Sequence, residues 1–189
     1  MSTPKRIIAT FLAAALLTLG AVALVGCGGP SDEEIVRQGV TDELDKIKNL
    51  DTETIDQMAL EVGAAGFENY GIDPKEFVTS YLNGFDYRID DVTVDGQEAT
   101  ATVVLTCKSF TEYEAALTEA ATALAEDESI VDLSQEEINM KYGQVVMDTL
   151  AGVSVQETEP LALTFELQDK TWMPTADAQK ALADAMFKN

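Results

Sequence analysis

The chain has 189 residues with 12 Lys and Arg against 34 Asp and Glu, a formal charge of −22, two cysteines and no histidine. Without histidine there is no Ser-His-Asp or Cys-His catalysis and no His-bearing zinc or haem site, and two cysteines cannot build a four-cysteine metal cage. The acidic excess also argues against nucleic acid as a partner, because affinity for a phosphate backbone rests on Lys and Arg displacing counterions.

Lys5 and Arg6 precede an uncharged run from Ile7 to Gly26, IIATFLAAALLTLGAVALVG. Its 20 residues could cross a bilayer as a helix, so length alone leaves a membrane span open beside a secretory signal. The residues at its end discriminate. Leu24-Val25-Gly26-Cys27 is an aliphatic residue, two small residues and a cysteine, and it resembles the lipobox of bacterial lipoproteins. The resemblance implies cleavage between Gly26 and Cys27 and a new N-terminus at Cys27 bearing diacylglycerol and palmitate-class acyl chains. It further implies a lipid-anchored protein on the extracytoplasmic face of the cell membrane. Several chains at one residue make a stable anchor where a single chain is marginal. The expected organisation is a lipoprotein signal peptide at 1–26, an acylated cysteine and tether at 27–34, and a single α+β domain at 35–189. Removing 1–26 takes away Lys5 and Arg6 and leaves 163 residues with a formal charge of −24. Once Cys27 is acylated, Cys107 has no disulfide partner, and its apolar alternating surroundings make it a small buried hydrophobe.

Helix starts are well marked along the mature chain. Ser31 with Glu34 forms a capping box ahead of Ile35, Val40, Leu44 and Ile47 at helical spacing. Asp51 caps a second helix carrying Ile55, Met58 and Val62, which fades near Gly63, Gly66 and Gly71. Asp73-Pro74-Lys75-Glu76 places a cap, a proline at the first helical position and a reciprocal glutamate before Phe77, Tyr81 and Leu82; Asn83-Gly84 ends that helix.

Asp95-Gly96 reads as the two-residue turn of a hairpin between FDYRIDDVTV and QEATATVVLTCK. With Val94 opposite Gln97, an unbroken register would place Asp90, Arg88 and Asp86 on the face of Ala101, Val103 and Leu105. One extra residue at Asp90-Asp91 instead opposes Ile89 to Ala101, Tyr87 to Val103 and Phe85 to Leu105, so a bulge is expected there. Ser109 with Glu112 and Ser134 with Glu137 are two further capping boxes. The first opens a helix through Phe110, Tyr113, Leu117, Ala120 and Leu124; the second, with a Leu133–Ile138 staple, opens one through Tyr142, Val145 and Val146 to Gly152. A second hairpin alternates Leu161, Leu163, Phe165 and Leu167, turns near Asp169-Lys170 and returns through Trp172. A helix with Leu182, Ala185 and Met186 closes the chain. The fold class is therefore α+β, a curved antiparallel sheet of about four strands in two hairpins packed against helices.

The block Phe85-Asp86-Tyr87-Arg88-Ile89, the Val94-Asp95-Gly96 turn, the Ala99 to Leu105 strand and Lys170-Thr171-Trp172 together resemble the α+β domains attached to many bacterial lipoproteins. They are similar to the nuclear transport factor 2-like, or cystatin-like, superfamily, over about residues 35 to 188. Two successive helices between the hairpins depart from its simplest members. The resemblance implies a cone-like pocket, here lined by Tyr87, Phe85, Leu105, Phe165 and Trp172, which different relatives use for binding or for isomerase or hydrolase chemistry.

No catalytic residues, metal ligands or cofactors are read from the sequence. Asp86, Arg88 and Asp90 could form an acid/base set, but the register puts them on the face away from the core, as a solvated cross-strand ion pair. From Asp91 the calcium-loop spacing gives Thr93, Asp95 and Gly96, yet the twelfth position is Thr102 where glutamate is required. Three functions remain in competition. The first is a binding or interaction module whose partner is a small molecule, peptide or envelope protein. The second is an enzyme working a carboxylate/tyrosine pocket, and the third is a structural surface module.

Overall fold

The computed structural model describes residues 29–64, 66–187 and 189. Helices α1 (Asp32–Lys48), α2 (Thr52–Ala64) and α3 (Pro74–Leu82), with a 3-10 turn at Phe67–Tyr70, precede the hairpin β1 (Asp86–Asp95) and β2 (Glu98–Lys108). Helix α4 (Phe110–Glu126), a 3-10 turn at Glu128–Ile130 and helix α5 (Gln135–Gly152) follow. Strands β3 (Val155–Glu157), β4 (Leu161–Gln168) and β5 (Thr171–Pro174) and helix α6 (Ala176–Phe187) complete the chain. The protein is α+β, with an open antiparallel sheet of five strands packed against helices.

Of the three capping boxes read from the sequence, those at α1 and α5 are complete, and at α4 the Ser109 half is present without the reciprocal Glu112 bond. At α1 the Ser31 hydroxyl accepts the Glu34 N–H while the Glu34 carboxylate accepts the Ser31 N–H, and Ser134 and Glu137 repeat the box at α5. Asp73 accepts the N–H groups of Lys75 and Glu76, and Ser109 accepts that of Glu112. Helix α1 begins at Asp32, directly after the Ser31 cap. Six of its apolar side chains and glycines face the core: Ile35, Val36, Gly39, Val40, Leu44 and Ile47.

The sheet order is β1-β2-β4-β5, with β3 also pairing β2. The β1–β2 register shifts between Ile89 and Asp91, where the bulge was expected. The register itself differs from the sequence reading. Asp95 pairs with Glu98, so the central turn residues are Gly96 and Gln97 rather than Asp95 and Gly96. Val92 meets Ala101, Ile89 meets Val103 and Tyr87 meets Leu105. Each pairing is displaced by two residues, which preserves the face of every side chain because strand periodicity is two. Gly96 lies at φ 64 with Gln97 outside the positive region, as a type II′ hairpin requires; at the second hairpin both Asp169 (φ 49) and Lys170 (φ 68) are left-handed, as type I′ requires.

Strand β3 was not anticipated, because Val155, Gln156 and Glu157 are all exposed and carry no alternation. It lies against the same partner as β4. β2 pairs with β3 from Lys108 to Thr106 and with β4 from Val103 to Glu98, and the pairing slips by one residue between Glu157 and Leu161. Thr158 spans the slip: its N–H donates to the Leu105 carbonyl and its hydroxyl accepts the Leu105 N–H. Pro160, without an N–H, sits in the interruption. The two strands thus act as one interrupted strand, and the sheet keeps the four-strand logic of two hairpins.

One face of the sheet, with Ala99, Ala101, Val103, Leu105, Leu163, Phe165 and Trp172, joins α1 and α6 in the core. At the end where β1 begins, Tyr81 stacks on Phe187 with ring centroids 5.5 Å apart, and its hydroxyl donates to the Met186 carbonyl. Asn189 closes that end. Its main-chain oxygen accepts the Ser109 hydroxyl and the Thr111 N–H, and its side-chain oxygen accepts the Phe110 N–H, satisfying donors of the first turn of α4.

Candidate functional site

The lipobox residues Leu24, Val25, Gly26 and Cys27 lie outside the described residues. The described chain begins with exposed Gly29 and Pro30 and enters α1 through the Ser31 cap. There Trp172 of β5 donates its indole N–H to Asp32 at 3.3 Å, so the start of α1 is tied to the sheet.

Toward the C-terminus of α1 a polar cluster forms against the first half of β1. Tyr87 points inward as expected, and its hydroxyl donates to Asp45 at 2.7 Å and lies 3.3 Å from the Thr41 carbonyl. Burial, and then the Asp45 carboxylate that accepts this bond, push the Tyr87 phenol up to about 12. A phenol so placed holds its proton at neutral pH. The pair therefore ties α1 to β1, and it is poorly suited to proton transfer. Lys48 lies 5.8 Å from the centre of the Tyr87 ring and pairs with Asp86 at 2.7 Å. The Lys48 ammonium, with the Tyr87 N–H that donates to the same oxygen, holds the Asp86 carboxyl below the usual carboxylate range. Arg37 donates to the Ile89 carbonyl at 3.1 Å, at the bulge.

Asp86, Arg88 and Asp90 are solvated, as the register implied, but their pairing differs from a single cross-strand pair. Arg88 bonds Asp90 on its own strand at 2.9 Å and Glu157 on β3 at 2.7 Å, while Asp86 turns to Lys48. Asp91, Thr93 and Asp95 run along β1 opposite Thr102, Thr100 and Glu98, an extended strand and not a loop that could wrap a cation. Among the described residues no group of three or more Asp, Glu and Cys side chains is arranged to hold a metal ion.

Of the expected pocket lining, Phe85, Leu105, Phe165 and Trp172 are at most 5 % exposed and belong to the core cluster, with Tyr87 packed at its edge. None of them lines a described cavity. A small apolar cavity of about 20 Å³ lies elsewhere, among α2, α3 and the meeting point of α4 and α6, with walls that include Met58, Phe77, Tyr81 and Phe187. That is room for about one water, and the lining offers it no polar partner. Two shallow surface grooves are present. One follows the first turns of α1 beside Gly29, Pro30, Arg37 and Thr41, and the other runs between α4 and α5 beside Glu112, Ala120, Thr149 and Ser154.

Buried polar groups elsewhere went unread in the sequence. Lys108, 5 % exposed, donates to the Leu150 carbonyl in the last turn of α5 at 2.6 Å, and burial pulls its ammonium below the usual lysine range. A cation at a helix C-terminus satisfies an orphan carbonyl and complements the helix dipole. Glu43, also 5 % exposed, pairs with Lys46 at 2.7 Å. Cys107 is a buried free thiol, pushed up to about 11 by burial. That agrees with its reading as a small hydrophobe.

Fold and cluster together define an α+β domain in which Tyr87, Asp45, Lys48 and Asp86 tie α1 to β1 and Lys108 ties β2 to α5. No family model matches the chain, and no curated protein matches it. Among solved structures it is similar to a candidate lipoprotein, YcdA, of Bacillus subtilis, at 14 % identity over 96 % of this chain and with a TM-score of 0.44; this chain spans 55 % of the length of that one.

Proposed function

We propose that the protein is a lipoprotein held to the extracytoplasmic face of the cell membrane through acylated Cys27, with residues 28–189 forming a binding or interaction module. The observation that carries this reading is the order Lys5-Arg6, an uncharged run to Gly26 and Leu24-Val25-Gly26-Cys27, followed at once by glycines and a domain that begins at Ser31. The resemblance to the nuclear transport factor 2-like superfamily belongs to the same proposal. Its support is the order of helices, bulged hairpin, helices, hairpin and helix. Since the side chains expected to line a cone are packed in the core, the binding reading rests on the surface grooves.

Replacing Cys27 with Ala tests the anchor. The variant is expected to leave the membrane fraction or to accumulate as an unprocessed precursor. Processed protein that stays membrane-bound without the cysteine would refute the anchor. For the module, a thermal-shift screen against metabolites, peptides and divalent ions is the matching measurement. A ligand present at a hundred times its dissociation constant stabilises the fold by about 2.7 kcal/mol.

A further inference from the structure

We infer that the anchored domain stands on one particular end of its sheet, the end bearing the two hairpin turns, with the end where β1 begins directed away from the bilayer. The inference rests on acylation of Cys27 and adds to it an orientation.

The geometry comes from residues far apart in sequence. Asp32, one residue into α1, accepts the Trp172 indole N–H. Trp172 pairs with Leu167, and the Leu167 N–H donates to the Gln97 carbonyl inside the first turn. The tether therefore enters the domain beside both turns, Gly96-Gln97 and Asp169-Lys170. The other end of α1 reaches the other end of the sheet, where Lys48 pairs with Asp86 and Tyr87 bonds Asp45. Asp86 is level with Thr106, and Thr106 with Glu157.

Two lengths decide the orientation. From Cys27 to Ser31 there are four residue steps, which even when fully extended reach about 14 Å. From Glu98 to Thr106 along β2 there are eight steps, about 27 Å at strand spacing. Turning the Glu157 level toward the membrane would carry the Ser31 end to about twice the reach of its tether. The short leash thus forbids the inverted stance, and of the two ends of the sheet it favours the turn end as the one nearer the bilayer.

Two variants of the full chain that each add one cysteine, Glu98→Cys at the turn end and Glu157→Cys at the opposite end, read this directly. Both sites are exposed, so neither substitution disturbs the core. The Cys27 sulfur is occupied by its lipid and Cys107 is buried, so a maleimide donor dye marks only the new thiol. The lipidated proteins are reconstituted into phosphatidylcholine vesicles carrying an acceptor dye on the headgroup, and co-flotation is scored alongside energy transfer. Transfer from residue 98 is expected to exceed that from residue 157 by on the order of twofold or more, given the roughly 27 Å between them. Equal transfer, as for a domain lying on its flank, or the reverse order, with the protein still floating with the vesicles, overturns the orientation alone. Loss of flotation overturns the anchor, and the orientation with it.

Discussion

The sheet layer and the α4–α5 hairpin are both well formed, yet they are held to the molecule by different means. Helix α1 buries seven of its 17 residues. Helix α4, equally long, buries only Tyr113, and the 18 residues of α5 bury only Gly143 and Leu150. All three begin with a serine cap. Capping and propensity decide that a segment becomes a helix, whereas burial of a face decides how firmly it belongs to the core. The α4–α5 hairpin is attached by Asn189 at its start, by Lys108 at its end, by Gly143 against the Tyr70 main chain, and by half-buried Phe110, Leu117, Val146 and Met147 at the edge of the core. Such a unit should open locally before the sheet does.

The contrast can be broken most forcefully from the core. Phe165, 1 % exposed and central in β4, should cost about 3–5 kcal/mol when cut to Ala, and urea unfolding should show the whole domain weakened together. The next largest effect is at Gly143. A Cβ there would stand 1.9 Å from the Tyr70 carbonyl oxygen, so Gly143→Ala must push α5 off the Phe67–Tyr70 turn, at a cost of about 1–3 kcal/mol. Amide exchange should accelerate in α4 and α5 well before it does in β1, β2 and β4. Uniform acceleration would show that the hairpin is part of the core unit. A matched pair of cap deletions sharpens the same point. Ser31→Ala and Ser134→Ala each remove a complete capping box, worth about 1 kcal/mol. The first should lower global stability, and the second should surface mainly as faster exchange in the first turns of α5. The mildest perturbation changes no residue. Tyr87 and Tyr113 are both pushed up to about 12 when folded, against about 10 when unfolded, so stability is intact below pH 10 and falls between pH 10 and 12 as unfolded phenols ionise. Phenolate absorbance of the folded protein should accordingly lag behind that of the denatured chain.

Much of the fold was legible because local chemistry fixed it. Ser31 with Glu34, Asp73 before Pro74 and Ser134 with Glu137 mark helix starts through contacts three residues apart, and the Asp90 bulge follows from the demand that Tyr87, Ile89 and Val92 share a face. The register was off by two because face alone cannot distinguish offsets that differ by a full strand period. Which pair of residues around Gly96 becomes the turn is a matter of backbone dihedrals. Strand β3 was invisible for want of any alternation, and its place is set by Lys108, Cys107 and Thr106 on a strand some 50 residues earlier. The polar cluster was half legible. Tyr87 announced itself as inward-facing, but Asp45, 42 residues away, is brought to it only by the path of α1, and nothing local in the sequence marks Lys108 for the end of α5.

The edges of the sheet acquire meaning from the proposed anchor. Proteins confined to a membrane meet one another in two dimensions, at local concentrations far above those of the same copies in free solution. An open sheet under such crowding is exposed to strand-by-strand polymerisation through its outer hydrogen-bonding groups. Here the long outer strand β1 is bent by its bulge, carries Asp86, Arg88, Asp90, Asp91 and Asp95, and has its Ile89 carbonyl taken by Arg37, while the opposite edge, β5, is four residues long and ends in proline. Were copies held on one leaflet as proposed, these two outer strands would disfavour strand-by-strand pairing between them.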